Sequence, residues 1–172
     1  VRRLEEFVGR LDDVLAHART AGATIIHSPS DCMPQYREHP ARLRAQKARS
    51  GIKNLPEDVQ LWCSKIPGEE AALYPIDQSD GGEDDHPDEH EAWAKKPKSE
   101  GRNPNTPWLK QHPRITIHPQ LDYLSDRGDE VWAILEQNQI EHVILTGVHT
   151  NMCVLGDRLD FDKWLGSVKM SF

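Results

Sequence analysis

Between Arg114 and Thr146 the chain spells out strand, helix and strand with short turns between them, and this unit constrains the fold more than any other. Arg114–His118 (R-I-T-I-H) alternates apolar and polar residues, the period of a half-buried strand. Ser125 and Asp126 are residue types that cap a helix, here one running from about Arg127 to Asn138 with Val131, Ile134 and Leu135 on its inward face. Ile140–Thr146 is apolar enough for a strand buried on both faces. Two strands joined through one helix make a parallel crossover, whose hand is right-handed. Ligands of open α/β sheets bind beyond the carboxyl ends of the strands. His118 and Cys153 both fall at such ends.

The N-terminal region supplies half of a second unit. Val1, Leu4, Phe7, Val8, Leu11, Val14, Leu15 and Ala18 recur at three- and four-residue steps, which predicts a one-faced helix closed by Gly22. Ala23–His27 (A-T-I-I-H) reads as a short strand ended by Ser28, Pro29 and Ser30. The chain opens at Val1 inside the helix and stops at Phe172 soon after Cys153, so it reads as a fragment of a longer domain.

At 172 residues there is length for one domain with a sizeable core. The formal charge of -7 argues against nucleic acid or an anionic membrane as partner. No apolar run approaches the roughly 20 residues of a membrane span. Cys32, Cys63 and Cys153 are odd in number and widely spaced, which suits neither a disulfide framework nor a zinc pair. A reducing, cytoplasmic setting is the expectation.

The middle is different in kind. Pro40–Arg49 carries Arg42, Arg44, Lys47 and Arg49 and reads as a short helix. Its basic side chains form either a solvated face or a patch for an anionic substrate or an acidic loop. Residues 54–113 form an irregular acidic and Pro-rich insertion with brief helical pieces at Pro56–Lys65 and Glu89–Lys96. Asp77–Glu91 holds eight carboxylates, with His86 and His90 and no Lys or Arg. A solvated loop is the default reading. A divalent-ion loop is the alternative, although the spacing does not fit the Ca²⁺ loop pattern, and no regular element presents the two His to zinc.

The chemistry is concentrated in His142–Leu155, H-V-I-L-T-G-V-H-T-N-M-C-V-L. Gly147 breaks the strand, and six residues later comes Cys153, where a new helix could begin. Unpaired N–H groups and the positive dipole end of a helix favour thiolate over thiol. The alternative is an inert buried Cys behind a core strand. The segment Gly147, Val148, His149, Thr150, Asn151, Met152, Cys153, Val154 resembles the nucleophile turn of the isochorismatase-like cysteine hydrolases, the superfamily that includes nicotinamidases and N-carbamoyl amidohydrolases. Their motif is a strand ending in Gly-Val-x-Thr-x-x-Cys-Val, and every fixed position matches.

The resemblance implies a fold, a site and a reaction. The fold is α/β, a three-layer α/β/α sandwich on a central, mostly parallel, Rossmann-like sheet, here a single incomplete domain over 1–172 that lacks the first strand and the C-terminal part. The peptide joining Val148 to His149 would be cis. The backbone N–H groups of His149 and Cys153 would form the oxyanion hole, worth roughly 3–4 kcal/mol per donor in the transition state. The family's catalytic Asp would precede Val1. Its catalytic Lys falls at the end of the strand matching Arg114–His118, where this chain has His118 instead. Either His118 takes that role, with a pH dependence a Lys would not give, or it is a strand-end His contacting solvent or backbone and the machinery is impaired. True isochorismatases cleave a vinyl ether without the thiol, so Cys153 points to C–N hydrolysis through an acyl-thioester.

Three functions follow. The first is a cysteine-dependent hydrolase of a small amide, with a small-molecule substrate, a homo-oligomeric assembly and neither cofactor nor metal. The second is a non-catalytic binding or assembly protein that keeps the fold without the Lys. The third is a divalent-ion module built on Asp77–Glu91.

Overall fold

The computed structural model describes residues 2–29, 32–53, 55, 87–104, 109–147 and 169–171. In chain order these form α1 (Arg2–Thr20), β1 (Ile26–His27), a 3-10 turn (Met33–Tyr36), α2 (Pro40–Gly51), α3 (Pro87–Ser99), β2 (Tyr123–Leu124), α4 (Gly128–Gln137), β3 (His142–Ile144) and β4 (Lys169–Ser171). β1 pairs with β2 and β3 with β4, both in parallel. Helices alternating with short parallel strands give an α/β chain. The helical piece expected at Pro56–Lys65 and most of the acidic stretch lie outside the described residues.

α1 ends as its sequence predicts. Gly22 adopts φ +88°, and the N–H groups of Gly22 and Ala23 reach back to the carbonyls of Arg19 and Ala18 at 3.0 and 2.9 Å. Such a left-handed cap satisfies the last carbonyls of a helix. The apolar stripe is wider than the buried face: Val8 is buried, whereas Leu4, Phe7 and Val14 stay exposed.

The core lies between α2, α4 and the strands. Ala45 and Ala48 of α2 meet Ala133 and Ile134 of α4, with Ile26, Ile52 and Tyr123 around them. Alanines on both sides let the two helix backbones approach closely. A second cluster joins Val131 and Leu135 of α4 to Ile26 of β1 and Val143 of β3. One helix face thus packs on both strand pairs. The inward residues Val131, Ile134 and Leu135 are all buried, as the helical spacing requires.

The expected strand at Arg114–His118 does not form; turns and irregular backbone occupy it. Side chains have taken the groups a ladder would need. Asp12 accepts from the Thr116 N–H (2.7 Å), Arg19 donates to the Thr116 carbonyl (2.6 Å), Gln111 to the Ile115 carbonyl (3.2 Å), and Asp122 accepts from the His118 N–H (2.7 Å). A backbone satisfied by side chains has no need of a neighbouring strand. The strand preceding α4 is instead Tyr123–Leu124, in register with Ile26–His27.

α2 also departs from a solvated basic face. Arg42 is buried, and Arg44 and Arg49 are half-buried. Arg44 donates to the Asp122 and Pro119 carbonyls and lies 5.4 Å from the Tyr123 ring centroid. Lys47 is the one of the four predicted basic residues that remains exposed.

Candidate functional site

Where β1 and β2 end, two polar networks meet. The first gathers on Ser125, directly after β2. Its hydroxyl donates to Glu130 and accepts from the Arg127 N–H at 3.1 Å. Arg42 holds Glu130 through both Nη1 and Nη2, and its Nη1 also reaches the Leu124 carbonyl at 3.3 Å. Ser28, just past β1, donates to the Ser125 carbonyl at 2.7 Å and ties the two strand ends together. Arg127 and Arg49 flank Asp129, each 2.9 Å from its Oδ2. Burial would raise the Asp129 pKa, but the hydrogen bonds from Arg127 and Arg49 outweigh it and hold the carboxyl below its ordinary range.

The second network centres on Asp122, whose side chain is 1% exposed. It accepts from Arg19 Nε (2.7 Å), Arg19 Nη2 (2.6 Å), His27 Nε2 (2.9 Å) and the His118 N–H (2.7 Å). Burial pushes this carboxyl upward, and the Arg19, His118 and His27 hydrogen bonds more than reverse that. Four donors leave the carboxylate little capacity to take a proton from a substrate, so Asp122 stitches α1, β1 and the 111–122 segment together. On His27 burial dominates and lowers the pKa, against the raising effect of Asp122 and Gln111.

The residues predicted from sequence divide sharply. Val148, His149 and Cys153 lie outside the described residues, and with them the expected cis peptide and oxyanion hole. Gly147, the last described residue before them, follows β3 by three positions. His118 is not at a strand end. It sits five residues before β2, and its Nδ1 accepts from the Gln120 and Leu121 N–H groups, both at 3.2 Å. Among the described residues no group of three or more His, Cys, Asp or Glu is placed to hold a metal ion. No described helix is long and apolar enough to cross a membrane. Cys32 is buried.

Arg42, Glu130, Asp122 and His27 were not expected at the centre of these networks. The signal for Asp122 is faint but present. It stands two residues before the fully buried Leu124, on the same face of an extended segment, so a buried carboxylate with partners was required there.

Comparison of the chain with protein-family models, with curated proteins and with solved structures finds no match.

Proposed function

We propose that the chain is a cysteine hydrolase acting on a small amide or related C–N bond, with Cys153 as nucleophile. The observation that carries this reading is the position of the Gly147–Val154 segment. It follows β3, a parallel strand, which itself follows a helix whose Val131 and Leu135 pack on Ile26 and Val143. Ligands of open α/β sheets bind beyond the carboxyl ends of parallel strands, and the motif follows such an end in the sequence. The Cys153 thiolate adds to the carbonyl carbon, the His149 and Cys153 N–H groups hold the oxyanion, and the C–N bond breaks as the amine leaves with a proton. Water then cleaves the thioester to release the acid. The proposal includes a three-layer α/β/α sandwich, assembly as a homo-oligomer and a cytoplasmic setting.

The test pairs thiol reactivity with product. Iodoacetamide at neutral pH should alkylate Cys153 well before the buried Cys32, and a panel of small primary and N-carbamoyl amides should include one that releases ammonia or an amine. Cys153→Ala should abolish release. Cys153 reacting no faster than Cys32, with no amide turned over, would end the reading.

A second reading, a non-catalytic binding protein, has one observation in its favour. The strand preceding α4 ends in Leu124 and is followed by Ser125, with no Lys there, and the His118 ring is committed to its own turn. A sluggish Cys153 that leaves amide binding intact would favour it.

A further inference from the structure

We propose that His27 and Gln111 form a proton-operated switch, in which the ring's protonation state sets the orientation of the Gln111 amide and thereby the tie between Gln111 and Ile115.

The geometry is that of a ring facing acceptors on both sides. His27 Nε2 lies 2.9 Å from Asp122 Oδ2, and Nδ1 lies 3.1 Å from Gln111 Oε1. The amide orientation is fixed by its other end, because Gln111 Nε2 donates to the Ile115 carbonyl at 3.2 Å. A carboxylate and an amide oxygen both require a donor. A neutral imidazole has one N–H, so only the imidazolium satisfies both neighbours. The ring is buried at 5% exposure, and the charged groups acting on it are Asp122 beside β2 and Arg19 from α1. Burial and Arg19 oppose the proton, while Asp122 and Gln111 favour it.

Loss of the proton to bulk water leaves Nδ1 as an acceptor facing an acceptor. The ring keeps its Nε2–H on Asp122, where a bare lone pair would face a carboxylate. The Gln111 amide then turns over, so that Nε2 donates to Nδ1 and Oε1 faces the Ile115 carbonyl, and the Gln111–Ile115 bond is lost. Gln111 has two discrete arrangements, and its backbone N–H is anchored on the Tyr36 hydroxyl at 2.9 Å, so the motion is confined to the side chain and the 111–115 turn. That turn leads directly into Thr116 and His118, whose backbone groups are held by Asp12, Arg19 and Asp122. The switch therefore changes how firmly the segment carrying His118 is held, while the Asp122 hub stays closed.

The experiment is a pH titration of the whole chain by nitrogen-15 NMR, following the His27 ring nitrogens and the Gln111 side-chain amide together. The expected result is one shared midpoint, below the ordinary histidine value of 6.5. In Gln111→Glu the new carboxylate can only accept, so the His27 midpoint should move upward by about one to three pH units. A His27 titration that leaves the Gln111 resonances in place would overturn the proposal. So would Gln111 resonances that move without His27, a ring that stays neutral from pH 8 to about pH 4, or a folded Gln111→Glu protein with an unmoved midpoint. The wild-type titration decides the matter even if that variant does not fold.

Discussion

Arg19 and Asp122 are joined by two hydrogen bonds, 2.7 Å from Nε to Oδ1 and 2.6 Å from Nη2 to Oδ2, across 103 residues of chain. The side chains are 10% and 1% exposed. Removing one member of such a buried pair strands the other charge, which costs about 3–5 kcal/mol. Asp122→Asn should therefore lower the unfolding free energy by that amount, because one amide oxygen cannot serve four donors. Urea denaturation at neutral pH reads this directly. A loss under about 1 kcal/mol, the ordinary effect of an exposed ion pair, would show that Asp122 is not the hub described.

The Arg42–Glu130 pair allows a cleaner test, because each partner can be replaced by an apolar residue of similar length. Arg42→Met and Glu130→Leu should each destabilise by roughly 3–5 kcal/mol. The double variant should lose less than the sum, since neither charge is left alone. Ser125→Ala, which removes one donor to Glu130, should cost about 1 kcal/mol. Strictly additive single losses would mean that the pair contributes nothing as a pair.

Two helix ends make a matched comparison. α1 closes with Gly22 at φ +88°, and α4 closes with Gln139 at φ 54°. Nothing lies within 4 Å of a Cβ built on Gly22, so Gly22→Ala is strained only through its backbone. It should lose about 1–2 kcal/mol, the cost of a left-handed conformation for a residue with a Cβ. Gln139→Gly should gain up to about 1 kcal/mol, as the same strain is removed. Thermal melting of both variants checks the pair of opposite signs, and a stabilised Gly22→Ala would refute the cap.

What could be read from the residues, and what could not, follows from where the hydrogen bonds go. α1 with its Gly22 cap, the inward face Val131–Ile134–Leu135, the position of the strand after α4 and the helical piece near Glu89–Lys96 were legible, because local periodicity and caps decide them. The expected burial of that strand on both faces is not observed, since His142 and Ile144 are exposed and Val143 is half-buried. Arg114–His118 misled because its alternation is real, yet its backbone is claimed by Asp12, Arg19, Gln111 and Asp122. Two of those four side chains, Asp12 and Arg19, lie on α1 about a hundred residues away, so no local pattern reports them. The same holds for Arg42. Its burial depends on Glu130, 88 residues away, and a window around Pro40–Arg49 shows only a basic helix. Cys153, His149 and Val148 rest on the motif alone.

The pH dependence of stability should run in one direction, with two steps. His27 has its folded pKa below the ordinary 6.5 because of burial, so the unfolded chain binds that proton more readily. Its contribution is fully present above about pH 6.5 and fades as the pH falls below that value. Asp122 and Asp129 have folded values below the ordinary 3.8: burial raises them, and the Arg19, His118 and His27 bonds on one and the Arg127 and Arg49 bonds on the other outweigh it. Their contribution is present above the unfolded value and is lost as the pH falls through the folded one. Unfolding free energies measured from about pH 8 down to about pH 3 should therefore stay level, then decline from near pH 6.5, then decline again below about pH 4. His27→Gln should erase the upper step and leave the lower one. A wild-type curve that rises on acidification between pH 6.5 and about pH 5 would mean that His27 gains its proton on folding, and that Asp122 and Gln111 prevail over burial.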